Sequence, residues 1–179
     1  MSLVRTILIG RNPKHTVVRI IILVVVSFVI FGFILLPVKV DGPSMLPTYA
    51  ETGVNFVNRM AYLSHEPQRG DVVTIRTTGE SIMYMKRIVG LPGETVSFHG
   101  GKLFINGKLF NEPYEKWQCN WEDDGDHTPR TLGADEYFLV GDNRTMPMQG
   151  HTFGAAKRER IVGKILLCKN ILVSWFSRH

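Results

Sequence analysis

Cysteine is scarce in this sequence: Cys119 and Cys168 are the only two among 179 residues. They show neither CxxC spacing nor a histidine pattern beside them, which argues against a zinc site. In an oxidising compartment the pair has the option of a bridge, and otherwise both remain thiols. The histidines (His15, His65, His99, His127, His151 and His179) are scattered without metal-ligand spacing. No metal and no organic cofactor is therefore expected. There is no internal repeat, and nothing beyond residue 38 keeps a long helical period. Acidic residues are missing from positions 1–19, and charge is missing altogether from Ile20 to Val38.

Those last two absences explain the net charge of +5. Arg5, Arg11, Lys14 and Arg19 give the first 19 residues +4, while the remainder holds 17 basic and 16 acidic residues. A basic tail beside an apolar segment reads as a cytoplasmic flank under the positive-inside rule, so no nucleic-acid partner is expected. The 17 residues before Pro37 reach roughly 26 Å as a helix, near the roughly 30 Å of a bilayer's hydrocarbon core. Their many β-branched side chains favour a strand in water, but lipid requires internal backbone pairing and so a helix. A cleaved leader would carry a shorter apolar core followed by small residues, and Pro37-Val38-Lys39-Val40-Asp41 offers no such site. The expected organisation is a basic cytoplasmic tail at 1–19 and a single transmembrane anchor at 20–38. The remaining chain then lies on the outer, periplasmic face of a plasma (inner) membrane.

Beyond the anchor the pattern is mainly β. Phe56–Asn58, Asp71–Arg76, Ser81–Val89, Glu94–Phe98, Lys102–Asn106 and Glu136–Val140 are short β-branched or aromatic runs. Gly and Asn turns separate them, and Asn106-Gly107 predicts a hairpin from Leu103 to Phe110. These runs predict an antiparallel β catalytic domain over 39–94 and 136–170. A smaller β insert occupies 95–135, and a tail follows at 171–179. Glu112–Gly133 carries Trp117, Cys119, Trp121 and the acids Glu122, Asp123, Asp124 and Asp126. It reads as a surface excursion whose acids form a solvated loop. Ile161–Phe176 holds Lys164 and Lys169, too charged for a second span, and predicts a closing strand. Leu46, Tyr49, Phe56 and Trp121 are candidates to touch the membrane interface.

Two segments carry candidate chemistry. Ser44 lies in Gly42-Pro43-Ser44-Met45-Leu46-Pro47, between a Gly-Pro turn and apolar residues. Lys86 lies in Tyr84-Met85-Lys86-Arg87-Ile88-Val89, among apolar neighbours. A serine hydroxyl needs a base, and a desolvated lysine can be one once its pKa falls toward neutrality. In a strand, Tyr84, Lys86 and Ile88 share one face while Met85, Arg87 and Val89 share the other. Lys86 also fits an ordinary edge-strand lysine, which discourages aggregation.

The ordered segments Gly42-x-Ser44-Met45-x-Pro47, Arg69-Gly70-Asp71-Val72-Val73, Lys86-Arg87-Ile88-Val89-Gly90-Leu91-Pro92-Gly93 and Gly141-Asp142-Asn143-Arg144 resemble those of the type I signal peptidases, membrane-bound serine proteases. The resemblance implies Ser44 as nucleophile, Lys86 as general base and the Ser44 backbone N–H in the oxyanion hole. Gly42, Met45 and Asn143 become supporting residues, and Arg87 pairs with Asp142. Met83, Tyr84 and Met85 offer a strand edge to a signal peptide with small residues before the cut. The implied partners are preproteins and the lipid bilayer. One departure follows Asn143: Pro147 stands where the family has a serine, and Gln149-Gly150-His151 stands for Asp-Ser-Arg. Thr145, His151 or Thr152 then becomes the candidate partner of Lys86. His151 also permits a rival Ser44–His151–Asp142 triad. Two other readings of the chain are a processing peptidase dedicated to one conjugation or pilus substrate and a binding module that does not cut.

Overall fold

The computed structural model describes residues 13–76, 83–126, 128–148 and 154–166. Helix α1 spans Pro13–Val29 and continues through a π-helical turn at Ile30–Ile34. Lys14–Ile34 has a mean hydropathy of 3.0, is long enough to cross a membrane, and has no residue buried inside the protein. The helix then passes directly into strand β1, Leu35–Asp41. This corrects the expected span of 20–38: the helix begins at Pro13, and Leu35–Val38 are extended. The reason is pairing. Leu35 stands opposite Asn58 and Val38 opposite Asn55 of β2, Thr52–Asn58. Pro37 is tolerated because β1 is an edge strand, where a missing N–H costs least.

Strands β3 (Val72–Arg76), β4 (Met83–Gly90), β9 (Glu136–Val140), β10 (Ala155–Lys157) and β11 (Ile161–Leu166) complete a seven-stranded antiparallel sheet. Its order is β1-β2-β11-β3-β4-β9-β10. A second antiparallel sheet, β7-β6-β5-β8, is built from β5 (Thr95–His99), β6 (Lys102–Ile105), β7 (Lys108–Leu109) and β8 (Arg130–Thr131). The Leu103–Phe110 hairpin forms as β6–β7, with Asn106 at φ 51° in its turn. The closing strand is β11, threaded between β2 and β3. Cys168 and the tail 171–179 lie outside the described residues.

Three apolar clusters hold the sheets. One joins the two sheets through Val89, Val96, Phe98, Leu103, Phe138 and Val140. Gly90 ends β4 at this junction, where a Cβ would stand 2.6 Å from Val96 Cγ2 and 2.8 Å from Phe138 Cβ. The second cluster gathers Val73, Ile75, Ile88 and Leu139, and the third gathers Val40, Met45, Tyr49, Val72, Met85 and Ile165. Adjacent residues of β3 and β4 thus enter different clusters, as period-two alternation requires.

The acids of the excursion stay at the surface as expected, with Glu122, Asp124 and Asp126 exposed, but residues flanking them do not. Glu112, Cys119 and Trp121 are buried. Asp123 accepts the Phe98 N–H at 2.7 Å, Glu122 the Gly100 N–H at 2.7 Å, and Asp124 the Thr128 N–H at 3.2 Å. The acids satisfy backbone donors of the small sheet that no strand pairs. Of the expected interfacial side chains, Tyr49 and Trp121 are core residues, while Phe56 packs on Phe31 at 6.2 Å. Exposed apolar side chains gather instead at the C-terminal end of the apolar helix, where Phe33, Met60 and Leu63 line one groove with Arg59 and Arg76.

Candidate active site

Ser44 stands in a single 3₁₀ turn, Pro43–Met45, directly after β1. Gly42 enters that turn at φ 120° with open space where a Cβ would lie. Conformation rather than room requires glycine there. Gly42 N–H donates to Glu51 O at 2.9 Å, and Tyr49 N–H donates to Met45 O at 3.0 Å. Met45 and Tyr49 sink into the third apolar cluster beside Met85. Asn143 fastens the turn from the far side of the sheet. Its backbone N–H donates to Ser44 O at 3.0 Å, and its side-chain amide donates to Pro43 O at 3.1 Å.

Ser44 is half-buried and opens on a cavity of about 50 Å³. β1 contributes Val40 and Asp41 to its wall, β3 contributes Thr74, and β4 contributes Met83, Tyr84 and Met85. The three β4 residues expected to meet a peptide therefore line the cavity that holds Ser44.

Lys86 follows Met85 and is only 3% exposed. Burial lowers its pKa from 10.5 to about 8, with no carboxylate acting on it among the described residues. At neutral pH a useful fraction of the amine is uncharged, as a base requires. Among the described residues no hydrogen bond joins Ser44 Oγ to the amine. Bonds of this kind commonly tighten only when substrate is bound.

Arg87 is handled differently. It donates through Nε to Asp142 Oδ1 at 2.7 Å and through Nη2 to Asp142 Oδ2 at 2.5 Å. It also donates to Gly70 O at 2.7 Å and lies 4.1 Å above the Tyr114 ring. Burial opposes its charge, but the bonds to Asp142 outweigh that and move its pKa up. Both Asp142 oxygens are thereby engaged, which leaves that carboxylate poorly suited to orient a histidine as the rival triad requires. Thr145 is also committed, since its hydroxyl donates to Asn143 Oδ1 at 2.6 Å. His151 and Thr152 lie outside the described residues.

A second buried pair went unrecognised in the sequence. Arg144 donates to both carboxylate oxygens of Glu112, and Tyr114 OH donates to Glu112 at 2.9 Å. The Arg144 guanidinium also lies 5.1 Å from the Trp121 ring, and Trp121 Nε1 donates to Met146 O at 2.8 Å. The insert therefore braces the loop that carries Asn143, and through it the Ser44 turn. Only the composition change at Glu112 hinted at this.

Comparison with known proteins gives a consistent picture. The profile of the family described as signal peptidase, peptidase S26, matches residues 14–169. Signal peptidase I S of Bacillus subtilis (strain 168) is 37% identical over 153 residues, covering 80% of this chain and 82% of the relative. Signal peptidase I of Bacillus licheniformis is 35% identical over 165 residues, covering 86% and 89%. A solved signal peptidase I from Enterococcus faecalis V583 aligns with a TM-score of 0.46 at 27% identity, over 56% of this chain and 97% of that one.

Proposed function

Because this chain belongs to the signal peptidase family of serine peptidases, peptidase S26, we propose that it removes N-terminal signal peptides from exported preproteins with Ser44 as nucleophile and Lys86 as general base. The observation that carries this reading is the contrast within one strand. Met83–Met85 line the cavity onto which Ser44 opens, and the next side chain is a buried amine without a counter-ion among the described residues.

The reaction follows from that arrangement. The preprotein lies as an extended strand along β4, with small side chains entering the cavity and its scissile carbonyl at Ser44. The neutral Lys86 amine takes the Ser44 proton as Oγ attacks the carbonyl carbon. The Ser44 backbone N–H stabilises the oxyanion. The Lys86 ammonium returns the proton to the departing amine, leaving an acyl-enzyme. Lys86 then activates a water that releases the signal peptide and frees Ser44. Asn143 keeps the turn aimed, and the Arg87–Asp142 pair ties β4 to the loop after β9. Helix α1 anchors the chain in the bilayer with the sheets on the outer face and the basic tail in the cytoplasm. A preprotein held in the same bilayer meets the site at a raised effective concentration.

The test is incubation of the full chain in detergent with several unrelated precursors carrying Ala-x-Ala before the cut. Wild type releases the mature product, while Ser44→Ala and Lys86→Ala do not. Retained cleavage by either variant overturns the assignment. Cleavage of one precursor alone identifies a dedicated processing enzyme.

A further inference from the structure

The face of β3 that looks into the cavity carries one misfit. Thr74 alternates with Val72 and points to the cluster of Val40, Met45, Met85 and Ile165, all apolar. It is 1% exposed, and its hydroxyl has no hydrogen-bond partner among the described residues. Valine has nearly the same shape and would fill this position without a polar atom. A buried hydroxyl without a partner costs about 1–3 kcal/mol, so the cavity is incomplete as a purely apolar pocket. Ser44 and the β4 edge share the wall of this small cavity.

We propose that Thr74 is a specificity-determining residue: its hydroxyl hydrogen-bonds a small hydroxyl-bearing side chain of the substrate. This makes serine, not only alanine, a preferred residue in the pocket it lines. The inference rests on the proposed peptide-binding mode and sharpens its substrate class. An alanine there buries the Thr74 hydroxyl unpaired. A serine gives and takes one bond, and a valine offers none. Discrimination by one such bond is modest, since a net neutral hydrogen bond is worth about 1 kcal/mol, or roughly fivefold.

The experiment uses fluorescent precursor peptides that vary one position at a time among Ala, Ser and Val, at the first and third residues before the cut. Binding to the Ser44→Ala full chain in detergent is read by anisotropy, and cleavage is read with the active chain. At one of the two positions Ser binds and reacts roughly three- to tenfold better than Ala. Thr74→Val reduces that ratio to within twofold and melts no lower than wild type. An equal Ser/Ala ratio at both positions in wild type, or a Ser preference that survives Thr74→Val, overturns the inference, as does failure of every peptide to bind. Binding with the stated ratio but no cleavage by the active chain overturns the catalytic assignment alone.

Discussion

Lys86 and Arg87 are adjacent in β4 and almost equally sheltered from water, at 3% and 9% exposed, yet they meet opposite fates. Arg87 has one oxygen of the Asp142 carboxylate at each of two donors, and its charge is locked in place. Lys86 has none acting on it among the described residues, and its charge is discouraged. Burial alone therefore does not set protonation. The partner decides, and one strand places a structural cation beside an amine of lowered basicity by turning successive side chains to opposite faces.

The sharpest way to break this contrast is to remove the amine. Lys86→Met keeps the volume but deletes the base, so processing of an Ala-x-Ala precursor falls by about 10²- to 10⁴-fold. The same variant melts at or above the wild-type temperature, because no ion pair is lost. Arg87→Met gives the reverse pattern. It strands Asp142, which is 1% exposed, and destabilises the fold by about 3–5 kcal/mol in urea titrations. Arg87→Met/Asp142→Leu regains most of that loss, since neither charge is then left alone.

A pH series probes the same comparison more gently. The folded chain holds the Lys86 proton less tightly than the unfolded chain does, with a pKa of about 8 against 10.5. Below about pH 8 both states are protonated and the burial penalty is fully present. Between about 8 and 10.5 the unfolded state binds more protons, so this group's contribution to stability rises with pH. kcat/KM climbs through about pH 8 toward a plateau, and Lys86→Met removes that portion of the stability slope. The smallest expected effect lies in the insert. Trp121→Phe removes the bond to Met146 O and costs about 1 kcal/mol, read as a lower urea midpoint with Lys86 titration unchanged.

What could be read from the sequence was local. The candidates Ser44 and Lys86 each stand out within a few residues, and the run at 83–90 gives its strand and alternation directly. What escaped was decided by distant partners. Leu35–Val38 match the preceding apolar helix in composition, and only β2 makes them a strand. Glu112 and Arg144 are 32 residues apart, and nothing near either residue identifies the other. Asp123 and Glu122 resemble solvated acids until the turns of the small sheet supply N–H groups for them. In the sequence Gly42 is only part of a Gly-Pro turn. Its φ of 120° explains why this chain keeps glycine, a reason that only backbone geometry supplies.

The passage from α1 into β1 without an intervening loop has a mechanical consequence. Val40 and Asp41 on the cavity wall are the far end of the rod that begins inside the apolar helix. The backbone hydrogen bonds of helix and ladder leave no slack between Ile34 and Gly42. Leaning the helix therefore leans the wall beside Ser44, and under the proposed function the point along a polypeptide at which it is cut is gauged from the end of the apolar helix.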